Sequence, residues 1–304
     1  MNLRDLRYLI AVSEHKHFGH AADACFVSQP TLSGQIKKLE ESLGVKVFER
    51  TNRSVEITPV GQRILVHARR AIEQAEMIEA VAKAHQDPLA GPLRLGVIPT
   101  LGPYVAPLLL VPLRRSYPQM RLILSEQVTE TTLHLLRRHE IDVALIATPI
   151  DDPDLVARPL FDEPFWLAHP RDHVLYTADE VRATDIPDDE LLLLDDGHCL
   201  SRQVMEVCSL HEGESGAFGD LRAASLETLI QMVGAGFGCT LVPALALRSS
   251  WTTDAGVIVR PLEDKDAFRR ISLVSRASFP RPEAVNAVAE ALLAQLPNTV
   301  KVIE

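Results

Sequence analysis

The sequence predicts an α/β protein in which a small helical head and one long helix precede a larger body of alternating strands and helices. Three observations carry that prediction. Charge is divided unevenly along the chain, the first 90 residues hold capped helices, a basic hairpin and a heptad-like apolar seam, and the remainder alternates between strand and helix patterns.

The 304 residues are 46% hydrophobic and 24% charged, which suits ordinary globular cores. The net charge is −10, yet residues 1–70 carry 11 Lys+Arg against 7 Asp+Glu, a net of +4, which leaves −14 on residues 71–304. A basic head on an acidic body fits nucleic-acid contact at one end only. The opening MNLRDLRYLI sets Arg4, Asp5 and Arg7 among its apolar residues with no uninterrupted apolar run behind them, so no signal peptide is expected. The Leu/Val-rich stretch from Tyr104 to Leu113 is too short for a bilayer and is broken by Pro107 and Pro112. The expectation is a cytoplasmic protein with no membrane contact. Cys25, Cys199, Cys208 and Cys239 form no CxxC pair and no zinc spacing, so neither metal nor cofactor is expected, and free thiols are the default.

In the head, Leu6, Leu9, Ile10 and Val12 mark a first helix, and Phe18 to Cys25 reads as a short second one packed through Ala21, Ala22 and Ala24. Cys25 then falls on the buried side. In VSQPTLSGQIKKLEESLG, Ser28 is an N-cap and Pro30 sits in the first turn, where its missing N–H costs nothing. Leu32, Ile36, Leu39 and Leu43 make one stripe, and Gln29, Thr31, Ser33, Gln35, Lys37 and Lys38 face away from it. This is the helix-turn-helix plan. Val45–Phe48 and Val55–Ile57 read as strands around a turn with Arg50 and Arg53, a basic wing. Gln29, Ser33 and Gln35 are candidates for base edges, while Thr31, Lys38, Arg50 and Arg53 are candidates for phosphates.

Thr58-Pro59 opens the long helix, along which Val60, Ile64, Ala68, Ala71, Ala75, Ile78 and Ala82 recur in heptad-like steps. About 26 residues give a rod of about 39 Å that cannot bury such a seam alone. Packing on the body is one way to cover it; pairing with a second copy is the expected one and would present two recognition helices to two-fold operator DNA.

FGHAADACFVSQPTLSGQIKKLEESLG, the wing ERTNRSVEITPVG and the long helix, in this order, resemble the head of the LysR-type transcriptional regulators. The resemblance implies a tetramer (a dimer of dimers) and an effector domain like a periplasmic binding protein, two α/β subdomains around a cleft. The implied domains are 1–58, a winged helix-turn-helix; 59–90, a dimerising linker helix; and 91–304, the regulatory domain. Subdomain I covers about 91–161 and 268–304, and subdomain II about 162–267.

The body reads accordingly. Gly91-Pro92 ends the linker, LRLGVI (93–98) is a strand, and PTLGPYVAPLLLVPLRRSYP is a crossover helix. RLILSE (121–126) is a strand, 131–139 a helix and IDVALIAT (141–148) a buried strand. Beyond Asp162 the pattern restarts with PFWLAHP, LLLLDD, a Ser225-capped helix and CTLVP; RRISLVSR (269–276) and the last helix, 282–296, return to the first subdomain.

GHCLSRQVMEVC, with PTLGPY and SLETL, resembles the peroxide-sensing branch of the family. That resemblance implies a disulfide between Cys199 and Cys208 formed by hydrogen peroxide, with no metal or cofactor. Leu200, Val204, Val207 and Cys208 lie at helical spacing, so a helix is expected over about 201–210 with Ser201 as a possible cap. Cys199 then precedes a helix N-terminus, where the dipole and free N–H groups favour the thiolate that peroxide attacks. Nine residues of intact helix span about 13.5 Å, and a disulfide needs Cα atoms within about 7 Å, so oxidation requires the segment to unwind or move.

The resemblance also implies a peroxide site in which Thr100 and Thr129 hydrogen-bond the peroxide and Arg270 stabilises the thiolate or the oxyanion; His198, beside Cys199, is a candidate polar partner of the sulfur. Each has a plainer alternative: helix caps for the threonines, a solvated neighbour for His198 and a surface ion pair for Arg270. Thr131 or Thr132 can equally supply the cap near Thr129. Cys239 reads as core. Further partners implied are RNA polymerase and a glutaredoxin or thioredoxin reductant. Two rivals stay open: a LysR-type regulator governed by a metabolite in the cleft, and a thiol peroxidase built on Cys199 and His198. Adjacent residues rarely make a nucleophile–base pair, and the sequence carries no cofactor motif, so a non-enzymatic regulator is the expectation.

Overall fold

A computed structural model describes residues 1–50, 55–84, 88–210, 222–248 and 256–303. The chain divides into two compact units, Met1–Pro88 and Leu89–Glu304.

The first unit holds α1 (Leu3–His15), α2 (Phe18–Ala24), α3 (Gln29–Leu43), the hairpin β1 (Phe48–Arg50) and β2 (Val55–Ile57), and α4 (Pro59–Ala84). Asn2 and Asp5 cap α1 reciprocally, and the His17 ring accepts from the Gly19 and His20 N–H groups to cap α2. Ser28 caps α3 through the Thr31 N–H, and Gly44, at φ +68°, ends it. Leu32, Ile36 and Leu39 join Leu9, Val12 and Phe18 in the core. Two expectations change here. Leu43 is partly exposed, and its place on the stripe's inner side is taken by Glu40, whose carboxylate accepts from the Val47 and Phe48 N–H groups at 2.9 and 3.1 Å and pairs with Lys46. The α4 seam is also not one surface. Leu65 and Ala68 are buried in the head's own core and Arg69 pairs with Glu14 of α1, whereas Ile78 is 73% exposed.

The second unit is built on a mixed sheet with the strand order β10-β6-β11-β5-β3-β4. Its elements are β3 (Gly91–Val97), α5 (Gly102–Ser116), β4 (Met120–Glu126), α6 (Thr129–Arg137), β5 (Val143–Ile146), β6 (Leu155–His169), β7 (Leu193–Leu194), α7 (Cys199–Val207), β8 (Arg222–Ala223), α8 (Leu226–Gly234), β9 (Thr240–Pro243), β10 (Ile258–Pro261), β11 (Phe268–Arg276), a last helix Pro282–Leu293 and β12 (Lys301–Val302). β3 runs parallel to β4 and β5, the pairing that crossover helices such as α5 and α6 produce. β11 lies antiparallel between β5 and β6.

The pattern restart at Asp162 is not a break in the backbone. β6 runs unbroken through it, pairing with β11 over Leu155–Pro164 and with β9 and β10 over Phe165–His169. Gly91 opens β3 and its N–H donates to the Gln119 carbonyl before β4; Pro92 N therefore points to the other side, where β5 pairs only from Leu95 onward, so its missing N–H leaves no ladder bond unmade. α6 begins two residues earlier than expected, and α7 likewise, at Cys199 itself. α5 continues through Pro107 and Pro112. Among the described residues no helix is long and apolar enough to cross a membrane, and no group of three or more His, Cys, Asp or Glu is arranged to hold a metal ion.

Candidate redox helix and DNA-binding face

On the head, Gln29, Pro30, Thr31 and Lys38 are exposed, and Ser33 and Gln35 are half-buried on α3. Ser28 Oγ is engaged in the cap and lies 2.8 Å from Thr31 Oγ1. Arg50 is the last residue of β1, and Arg53 lies outside the described residues. The head therefore offers a polar and basic helix face beside a two-stranded wing, geometry suited to a groove and its flanking phosphates.

In the body, the turn before α7 holds Gly197 at φ +100°, and His198 takes the N-cap position without a side-chain cap bond. Cys199 is the first helical residue and is buried with Leu200 and Val204. Ser201 is not the cap; its hydroxyl donates to the Leu194 carbonyl at 2.8 Å. Gln203, one turn beyond Cys199, donates through Nε2 to the Ala147 carbonyl at 2.7 Å, tying α7 to the chain just beyond β5. Cys208 closes the helix and is buried. Burial, with Asp188 and Asp264 nearby, pushes its thiol up to about 12. All four cysteines are free thiols, and α7 is intact between Cys199 and Cys208. Cys239 is fully buried and also pushed up to about 12, by burial first and then by Glu190, Cys208 and Asp189. Cys25 is half-buried, its thiol raised by burial and by Glu14.

Thr100 and Thr129 sit just beyond the C-terminal ends of the parallel strands β3 and β4, the edge where open α/β sheets bind ligands. Neither is a helix cap: Leu101 and Val128 occupy the N-cap positions of α5 and α6. Thr131 and Thr132 do not cap α6 either, and the Thr132 hydroxyl donates instead to the Gln127 carbonyl. Thr129 Oγ1 and Gln203 Oε1 are buried with no protein hydrogen-bond partner among the described residues. Such atoms ask for a small polar partner.

Arg270 does not join this site. It projects from the outer face of β11 and makes a two-pronged ion pair with Asp162 at 2.8 and 3.0 Å, the plainer of its two expected roles. The adjacent Arg269 is the inward residue. It is fully buried, pairs through Nε with Glu163 at 2.8 Å, and donates from Nη1 to Thr100 Oγ1 and from Nη2 to the Thr100 carbonyl. Strand geometry explains the exchange, because successive side chains point to opposite faces. Arg269 faces Glu163 across the ladder and Arg270 faces Asp162. The usable sequence signal was Ile271, two residues on, whose inward place puts Arg269 on the same face.

Sequence reasoning also missed a contact between two matched motifs. Tyr104 of PTLGPY donates to Glu227 of SLETL at 3.4 Å. Glu126 lies over Gly102, where a Cβ would come within 2.7 Å of its carboxylate, and burial together with Glu227 raises its carboxyl above the ordinary range.

A helix-turn-helix head followed by an α/β body on a mixed sheet defines a DNA-binding regulator of bacterial type. The family described as "Bacterial regulatory helix-turn-helix protein, lysR family" matches residues 3–62, and "LysR substrate binding domain" matches residues 86–297. The chain belongs to the LysR family of transcriptional regulators. It is 41% identical to the DNA-binding transcriptional dual regulator OxyR of Escherichia coli (strain K12), over 97% of this chain and 96% of that one. It is similar to a full-length OxyR variant from Pseudomonas aeruginosa, at 38% identity and a TM-score of 0.86, covering 100% and 98% of the two chains. A Corynebacterium glutamicum OxyR mutant with hydrogen peroxide bound matches at 36% identity and a TM-score of 0.64, over 97% and 92%.

Proposed function

We propose that this chain is a non-enzymatic, DNA-binding transcriptional regulator that senses hydrogen peroxide through Cys199 and Cys208. The observation that carries the proposal is the pair of buried free thiols at the two ends of one intact nine-residue helix. The Cys199 thiolate attacks one peroxide oxygen, the O–O bond breaks, and Cys199 sulfenic acid and hydroxide result. The Cys208 sulfur then displaces the sulfenic oxygen, its proton leaving with that oxygen as water, and the S–S bond forms. Two thiols are oxidised and one peroxide is reduced to two waters. Along intact α7 the two residues lie about 13.5 Å apart, well beyond the ~7 Å of a disulfide, so the oxidised form needs α7 unwound. Thr100, Thr129 and His198 are the proposed surroundings of the reacting thiol, and Arg269, whose donors go to Glu163 and Thr100, stands behind Thr100 instead of facing the thiol.

The head is proposed to bind two-fold operator DNA through Ser28, Gln29, Pro30, Thr31, Ser33, Gln35, Lys38, Arg50 and Arg53. The open half of the α4 seam supports assembly as a dimer of dimers. RNA polymerase, and a glutaredoxin or thioredoxin that resets the disulfide, are the proposed further partners, in the cytoplasm. The test is thiol mapping by mass spectrometry after brief low-micromolar peroxide, with operator footprinting in parallel. A Cys199–Cys208 disulfide with a shifted footprint is the expected outcome. Two thiols still reduced beside normal DNA binding would leave a regulator governed by a metabolite instead.

A further inference from the structure

Glu163 and Arg269 form an ion pair in which both side chains have 0% exposure. An apolar couple of the same volume often holds a sheet together as well as a buried ion pair does, so packing alone gives no reason for two charges here. Their hydrogen bonds form a chain across the body, with Glu163 accepting from both of its neighbours and Arg269 donating to both of its own. The Leu245 N–H, in the short turn Ala244–Arg248 that follows β9, donates to Glu163 Oε1 at 2.8 Å. Glu163 Oε2 receives Arg269 Nε, and the two Nη atoms of Arg269 reach the hydroxyl and carbonyl oxygens of Thr100 at 2.8 and 3.0 Å.

A guanidinium only donates, so the Thr100 oxygen that meets it must accept. The hydroxyl proton of Thr100 is then left to be given elsewhere, and its carbonyl is occupied. From the geometry we propose that Glu163 is a positioning residue for the peroxide chemistry, a role that rests on the sensing function proposed above. By holding Arg269 against Thr100, it fixes the Thr100 hydroxyl as a hydrogen-bond donor at the C-terminal edge of β3. Gln203 ties the helix of Cys199 to the neighbouring end of β5. A donor at that edge stabilises the negative charge that grows on the departing peroxide oxygen as the thiolate attacks. Glu163 touches neither thiol nor peroxide and acts through Arg269 and Thr100.

The test uses the full reduced chain and follows two reactions of Cys199, oxidation by hydrogen peroxide and alkylation by iodoacetamide, whose leaving iodide needs no such donor. Glu163→Gln removes the charge. Because that change alone strands a buried guanidinium, Glu163→Leu combined with Arg269→Met serves as the folding-safe variant. In that pair, oxidation is expected to slow about tenfold or more while alkylation stays within about twofold. Thr100→Val should slow oxidation to the same degree, and adding it to the apolar pair should slow it no further. Unchanged oxidation, an equal fall in both reactions, or effects that multiply would each overturn the proposal. If Cys199 of the unaltered chain does not react with peroxide, the sensing function itself fails. If it does react, and the apolar pair reacts as fast, this inference alone fails.

Discussion

The two helices that carry the proposed DNA and redox functions are built in opposite ways. α3 runs for fifteen residues, is capped by a serine side chain, ends on a glycine at positive φ, and is clamped to the wing by buried Glu40. α7 has nine residues, no side-chain N-cap bond, Gly197 at φ +100° before it and Ser209, a non-glycine at φ +58°, after it. Helices this short do not hold themselves together in water. What retains α7 is its buried stripe of Leu200 and Val204 and two bonds to the neighbouring chain, Ser201 to Leu194 of β7 and Gln203 to Ala147 just beyond β5. A helix that must be presented whole is secured at its ends, whereas one proposed to unwind is secured only by what it packs against.

Alkaline pH should separate the two regions most strongly. The folded state raises Cys208 and Cys239 from 9.0 to about 12. Their contribution to stability is therefore complete below pH 9.0 and is lost as pH rises toward about 12, at about 1.4 kcal/mol per pH unit per thiol. Thermal melts of the whole chain should show the body's transition falling over that window. The fall should flatten in the Cys208→Ser, Cys239→Ser double variant, and an equally steep fall there would remove the thiols as its cause.

The clamp on α3 is the next largest effect. Glu40→Ala leaves the buried Val47 and Phe48 N–H groups without their acceptor, at a cost to the head of about 2–4 kcal/mol. Operator binding should weaken while peroxide oxidation of Cys199 keeps its rate. Burial raises the Glu40 carboxyl, but the bonds from Phe48, Lys46 and Val47 outweigh it, and the folded value is lowered. Its stabilisation is therefore present above the ordinary carboxylate range and lost as pH falls through the lowered value. An acid titration of the head's melting temperature should lose that dependence in Glu40→Gln.

Ser209→Gly sharpens the comparison by strengthening α7 without touching either thiol. Relieving a non-glycine residue of positive φ stabilises the reduced helix by about 1 kcal/mol. Resolution of the sulfenic acid by Cys208 should then slow about fivefold, measurable as longer-lived trapping by dimedone. An unchanged lifetime would mean that unwinding does not limit the step. The smallest effect belongs to Arg270→Ala. Its pair with Asp162 lies on the outer face, so peroxide oxidation and melting temperature should both stay as they are, and a slowed reaction would reinstate Arg270 at the site.

Legibility followed sequence distance. The Ser28 cap, the Leu32–Ile36–Leu39 stripe and the strand–helix alternation of the body are local patterns, and local periodicity is set by backbone geometry within a few residues. Leu43 was misplaced, and the burial of Glu40 went unread, because the wing, not the helix, decides which side of α3 is covered at its end. The α4 seam was misread in the same way, since α1 of the same head takes the first half of it. Cys199 and Cys208 stood out only through the resemblance, because a buried cysteine on an apolar stripe is ordinary by composition.

By itself, the sequence determined where the helices of the head start, that a basic head precedes an acidic body, and that two cysteines flank one helical segment. The tertiary structure alone decided that Arg269 and not Arg270 meets Thr100, that Glu163 stands behind it, and that Gln203 ties the redox helix to the end of β5. Those contacts join residues 106, 169 and 56 positions apart. The first two depend on strand register, and a shift of one residue exchanges the inner and outer arginine without altering composition or local pattern.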